Sequence, residues 1–319
     1  MPKDAIAISH SEIRTFTSCR RLWYLTYYRK LKPKHEPPTG AAHLGGNIHL
    51  ALEGMHGYGL DPIEVLRWAY RDLAAAQPEY EEQLLKELDL ALAMVEGYVQ
   101  WAAETGVDAG LAVAATEHEI LHEVTLPSTG DRVILRGKLD VLFRRHDGRY
   151  QLRDYKTVAG FQKADLLQLD QQMRFYAMLL AFAFPDAATR SPEVLYLMIK
   201  RSKRTARATP PFFAQETVSH NKHDLNNTYL RALAVAGEIM QARRRLDGEE
   251  TGPHLADHHY SCPPRTSDYC SWGCSFLKVC AMLDDGSRAE DAITSMYDVG
   301  EPYAYYSNSR IQRAVKDLS

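Results

Sequence analysis

The sequence predicts an α/β protein: a central mixed sheet of about five strands, helices on both sides, and a mainly helical N-terminal portion. Three observations carry this. Apolar residues recur at helical spacing through much of the first hundred residues. From Gly110 the spacing shifts to the alternation of strands. Beyond Lys163, helical patterns alternate with short strand-like runs, as they do when helices cover a sheet. The 319 residues suffice for one large domain or two small ones, and 45% apolar content can build a core. The formal net charge of −3 excludes a global basic field for nucleic acid, so any such surface must be local. No apolar run approaches the roughly 20 residues of a membrane helix. The opening MPKDAIAISHSE lacks the apolar core of a signal peptide. A cytoplasmic protein without membrane contact is expected, with its cysteines reduced or metal-bound.

The elements follow in order. Ser9 and Glu12 have capping-box spacing, and Ile13, Phe16, Arg20, Trp23 and Tyr27 continue at helical spacing. Arg20 and Arg21 sit among aromatics there, either as a solvated basic face or as nucleic-acid contacts. Helices are expected over 42–56, 62–75 and 81–104, the last with the stripe Leu84, Leu85, Leu88, Leu92, Val95, Val99. His49 and Glu53 share a face of the first of these. Residues 111–125 read as a strand that carries Glu117 and Glu119, which either approach the acids described next or face solvent. A helix over 163–182 has Leu166, Leu169, Met173, Tyr176 and Leu180 as its buried stripe. A strand over 193–200 feeds the basic run Lys200, Arg201, Lys203, Arg204, a solvated loop or a phosphate contact. A strand over 212–218 and a helix over 223–246 complete the pattern.

The chemistry converges on Arg136–Lys156, two strand-like runs around His146-Asp147-Gly148. A two-residue turn would place Asp140 opposite Tyr155. A three-residue loop with Gly148 left-handed places Asp140 opposite Asp154, and glycine suits that position. Opposed side chains lie about 5 Å apart at Cβ, and two carboxylates that close call for a cation between them. A divalent metal site is therefore expected, with Lys156 beside it on the face of Asp154.

Four of the five cysteines, Cys262, Cys270, Cys274 and Cys280, fall close together; Cys19 is remote. Such a cluster in a cytosolic chain reads as a metal site, zinc or an iron–sulfur cluster. The close triplet Cys270, Cys274, Cys280 plus Cys19 leaves Cys262 as the spare, with Cys262 in place of Cys19 as the alternative.

In this order, His49 within GNIHLALE, Asp140 in GKLD, Asp154-Tyr155-Lys156 and Gln172-x3-Tyr176 resemble the RecB-like branch of the PD-(D/E)XK nucleases. The remote cysteine and the triplet are similar to the four-iron four-sulfur staple of its AddB-type and CRISPR-associated exonuclease members. The spacing between Cys270 and Cys274, x3 rather than x2, departs from that pattern. The resemblance implies a restriction-endonuclease-like core in a single nuclease domain over 1–319. Its parts are a helical portion at 1–109, a catalytic core at 110–250, a cysteine region at 251–285 tied to Cys19, and a tail at 286–319. It implies Mg²⁺ or Mn²⁺ on His49, Asp140, Asp154 and the Tyr155 carbonyl. Lys156, its pKa depressed beside the metal, would orient or deprotonate water, and Gln172 and Tyr176 would hold the DNA strand. The implied activity is a DNA exonuclease on single strands or ends, with 5′ to 3′ polarity. Its context would be phage DNA metabolism, recombination and repair, or CRISPR adaptation, with recombination, helicase or CRISPR proteins as partners. A non-catalytic nucleic-acid-binding or adaptor protein, or a zinc-stabilised structural protein, are the competing readings.

Overall fold

The structure, a computed structural model, describes residues 5–184, 192–205, 207–249, 257–307 and 309–318. In chain order these form β1 (Ile6–Ser9), α1 (His10–Ser18), α2 (Arg20–Trp23), β2 (Leu31–Pro33), α3 (Ala41–Tyr58), α4 (Pro62–Ala76) and α5 (Glu81–Thr105). Next come β3 (Leu111–Thr125), β4 (Arg132–Arg145), β5 (Tyr150–Val158), α6 (Ala164–Gln168), α7 (Gln171–Ala183), β6 (Glu193–Lys200) and β7 (Phe213–Ser219). The remainder is α8 (Lys222–Leu246), α9 (His258–Ser261), α10 (Tyr269–Trp272), α11 (Leu277–Cys280), α12 (Ala289–Met296), β8 (Tyr297–Val299) and α13 (Ser309–Leu318).

The chain forms two compact units, each assembled from three separate stretches. The first holds Met1–Glu36, Leu121–Gly137 and Asn226–Tyr305; the second holds Pro37–Ile120, Lys138–Leu225 and Tyr306–Ser319. The boundary expected between 250 and 251 falls outside the described residues.

In the first unit, Ser9 caps α1 by accepting from the Glu12 amide at 3.1 Å. Glu12 does not complete the reciprocal box. Its fully buried carboxylate accepts from the Trp23 indole (2.8 Å), from Arg243 (3.2 Å) and from the Tyr303 hydroxyl. A buried carboxylate is tolerable only with such partners. The helix expected through Tyr27 is interrupted: Cys19 is extended (φ −157°, ψ 112°), and Tyr24–Tyr28 form a π-helical turn. Leu25, Leu31, Phe276, Val279, Leu283, Ile293 and Tyr297 pack into one core, and β2 pairs antiparallel with β8. The residues read as a tail are thus partly core.

In the second unit the sheet is mixed. From Val141, β4 is antiparallel to β5; β5 is parallel to β6, and β6 antiparallel to β7. Val141, Phe143, Tyr155, Leu197, Ile199 and Phe213 share one face and one hydrophobic core with α3, α4 and α5. On α5 the buried residues are Leu84, Ala91, Met94, Val95, Gly97, Tyr98 and Ala102, whereas Leu85 and Val99 are exposed, so the stripe turns from the expected one. On the opposite sheet face Tyr196 donates to the Leu167 carbonyl in α6. The helix expected over 163–182 breaks at Leu169–Asp170, and Leu166 and Leu169 are 63% and 60% exposed rather than buried. α13 packs on α3 and α4 through Ile311 and Ala314, with Trp68 donating to Asp317 (2.9 Å) and Arg313 paired with Asp72 (2.8 Å). Among the described residues, no helix is long and apolar enough to cross a membrane.

Candidate metal centre and cysteine-lined cavity

The hairpin register sets the second unit's site. Val141 pairs with Arg153, Leu142 with Leu152, Phe143 with Gln151 and Arg144 with Tyr150. The Arg145 amide then donates to Arg149, so His146, Asp147 and Gly148 form the loop, with Gly148 at φ 79°. Continued one residue past Val141, this register opposes Asp140 to Asp154, as the three-residue loop requires. Leu152, Asp154 and Lys156 alternate with Arg153 and Tyr155 along β5.

His49, from α3, joins these acids. Its Nε2 donates to the Tyr155 carbonyl at 2.8 Å, and its Nδ1 lies 3.4 Å from Asp140 Oδ2. Asp140 Oδ2 also accepts from the Tyr155 amide at 3.0 Å. Burial pulls the His49 pKa down, but Asp140, Glu117 and Asp154 outweigh it and raise it to about 9. For Asp140, burial pushes upward, while His49, the Tyr155 amide and Lys156 bring the carboxyl below its usual range. Asp154 is buried, and that burial lifts its pKa to about 6 against the pull of Lys156. Its Oδ2 stands 2.8 Å from Lys156 Nζ yet receives no hydrogen bond of good geometry.

Lys156 stands among carboxylates. Burial lowers its pKa, but Asp154, with Asp170 (Nζ to Oδ2 3.8 Å) and Asp140, more than compensates and raises it. These carboxylates hold the Lys156 ammonium in place. Asp170 also caps α7 through the Gln172 and Met173 amides (2.8 and 3.3 Å). It was missed although an Asp ahead of a helical run is a start signal. Gln172 donates to the Tyr176 hydroxyl at 3.2 Å in the first turns of that helix.

Glu117 is the other acid to join. His49, Glu117 and Asp140 each offer a ligand atom, all within 4.8 Å of one another. Glu117 has φ +44°, a left-handed conformation inside β3 that no sequence rule assigns to glutamate. Glu53, one turn beyond His49, is buried and carries a pKa lifted to about 7 by burial and by Glu117. Carboxylates, a peptide carbonyl and one imidazole make a donor set suited to a hard divalent cation. The buried Asp154, opposed to Asp140 and ion-paired with Lys156, adds a further carboxylate to it.

The basic residues separate by surroundings. Arg21 is 1% exposed, donating to the Cys262 carbonyl (2.9 Å), the Cys280 carbonyl (3.4 Å) and Asp284 (2.9 Å). Its burial makes it a structural cross-link rather than part of a solvated basic face or a DNA contact. Arg20 pairs with Glu238 at 2.6 Å on the surface. Lys203 pairs with Asp89, and Arg204 lies against Gly97 and donates to Gln100 at 3.1 Å, so both lie along α5. Lys200 ends β6 and Arg201 follows it, both half-buried.

In the first unit Cys19, Cys270, Cys274 and Cys280 line one cavity of about 260 Å³, together with Arg21 and Leu25. Cys262 is fully buried outside that lining, its thiol pushed up to about 12 by burial. Burial also raises the Cys274 and Cys280 thiols. The extended Cys19, between α1 and α2, joins the cavity wall.

Residues 7–281 match the model of the family described as the PD-(D/E)XK nuclease superfamily. No curated protein matches the chain. Solved structures with similarity include SSO0001, 13% identical with a TM-score of 0.37 and 89% of each chain covered. Another is a protein of Eubacterium rectale named as a candidate exonuclease, 10% identical with a TM-score of 0.45, covering 84% of this chain and 93% of that one.

Proposed function

Because the chain belongs to the PD-(D/E)XK nuclease superfamily, we propose that it is a divalent-metal-dependent DNA exonuclease acting on single strands or DNA ends. The observation that carries this is the opposed Asp140 and Asp154 with Lys156 and His49 around them. His49, Asp140, Asp154 and the Tyr155 carbonyl would hold Mg²⁺ or Mn²⁺. Such a cation supplies Lewis acidity, lowering the pKa of water and neutralising charge on the phosphate. Lys156, kept protonated by Asp154 and Asp170, contributes a fixed positive charge and a donor toward the phosphate or the attacking water. Gln172 and Tyr176, at the start of α7, are suited to hold the strand, with the helix N-terminus adding its partial positive charge. Attack at a 5′ end, and service in phage DNA metabolism, recombination or CRISPR adaptation beside helicase or recombination partners, follow the family resemblance.

The cysteine-lined cavity supports a [4Fe–4S] cluster on Cys19, Cys270, Cys274 and Cys280. A cluster would staple the α1–α2 junction to residues 270–280, the same segments that Arg21 joins.

Digestion of end-labelled single-stranded DNA with Mn²⁺ or Mg²⁺ tests the activity. Loss of labelled mononucleotides from one end is expected. An inert protein on linear and nicked DNA with both metals would sink the proposal.

A further inference from the structure

We propose that Glu117, supplied by β3, is an additional ligand of the metal centre and that Lys138 is a built-in cation competing with the metal for it. The proposal rests on the metal-dependent reading above and assigns a ligand beyond it.

Glu117 offers an oxygen within 4.8 Å of ligand atoms on His49 and Asp140, so the three converge on one point from β3, α3 and β4. Lys138 Nζ lies 2.7 Å from Glu117 Oε2, with side chains 12% and 14% exposed. Lys138 precedes Asp140 by two residues and therefore shares its strand face. The left-handed backbone at Glu117 (φ +44°) carries a conformational cost for a non-glycine residue. The opposed carboxylates of Asp140 and Asp154 on one face of the hairpin are an independent sign that the centre is built for a cation.

An ammonium is a monovalent point charge that satisfies a carboxylate only in part. A divalent ion at the same oxygens is repelled by that ammonium at short range in a site of reduced dielectric. Removing the Lys138 charge therefore removes a competitor, whereas removing the Glu117 charge removes a ligand. The two changes should move metal affinity in opposite directions. A merely structural ion pair would move both in the same direction.

The test is calorimetric titration of Mn²⁺ into the full chain, with folding of each variant checked by circular dichroism. Glu117→Gln should weaken Mn²⁺ binding by about ten-fold or more, Glu117→Asp should fall between it and wild type, and Lys138→Met should tighten binding. If Glu117→Gln binds as wild type does, or both variants weaken while Asp154→Asn abolishes binding, Glu117 is only the counter-ion of Lys138. In that case the metal centre stands without it. If Glu117→Gln does not fold, the sign of the Lys138→Met change decides alone. Wild type that takes up no Mn²⁺ would overturn the metal reading itself.

Discussion

At the scale of single residues, charge balance decides roles that residue identity leaves open. The resemblance gives Lys156 as the group that orients or deprotonates water, and its carboxylate neighbours raise its pKa against burial. Its substitution by Met should lower turnover by roughly 10²–10³-fold, as loss of a transition-state donor does, and Lys156→Arg should restore part of it. Initial-rate assays over a range of DNA concentrations would show the loss in turnover rather than in binding. His49 yields a pH prediction. Its pKa is raised to about 9 by Asp140, Glu117 and Asp154 against burial. A raised folded-state pKa adds stability that is complete below about 6.5 and is lost as pH rises through about 9. In chelator, unfolding free energy should fall on the order of 1–3 kcal/mol across that window, and denaturant titrations at pH 6 and 9.5 would measure it. No loss would mean that the imidazolium is not held by these acids. Arg21 gives the opposite lesson: it reads as a surface cation but is a buried cross-link to two carbonyls and Asp284. Arg21→Met should cost about 2–4 kcal/mol by leaving buried acceptors unmet, measurable by chemical denaturation, without changing DNA affinity of the folded protein.

At the scale of elements, what was legible was what is local. The register of Asp140 against Asp154 followed from a three-residue loop ending in glycine, and the Arg145–Arg149 closure and left-handed Gly148 realise it. Gly148→Val should destabilise by roughly 1–2 kcal/mol through φ alone; a melt unchanged from wild type would remove the loop from its register-setting role. The helices of the first hundred residues were legible from their period, as was the face on which His49 and Glu53 lie. The breaks were not. Cys19 leaves the helix to join a cavity wall built by residues 250 positions away. The expected helix over 163–182 breaks because Asp170 caps a new helix beside Lys156. Glu117 reaches the centre through a backbone angle that its residue type disfavours. Each of these is fixed by tertiary partners that no local pattern contains.

At the scale of the whole molecule, the two units draw on interleaved stretches of the chain. Residues 289–299 belong to one core and 309–318 to the other, although the same segment reads as a featureless tail. The cysteines assign a separate test. If the proposed cluster is bound, Cys19→Ser should lose iron, visible absorption and thermal stability together, while Cys262→Ser, outside the cavity lining, should keep its iron; the reverse outcome would exchange their roles. The family membership and the opposed acids meet in one claim, that Asp140 and Asp154 form the metal centre of a nuclease. The most direct measurement is digestion of end-labelled single-stranded DNA with Mn²⁺ by wild type and by Asp154→Ala, with folding confirmed. Metal-dependent digestion by wild type and a loss of roughly 100-fold or more in the variant is the predicted result; equal digestion by both proteins would contradict it.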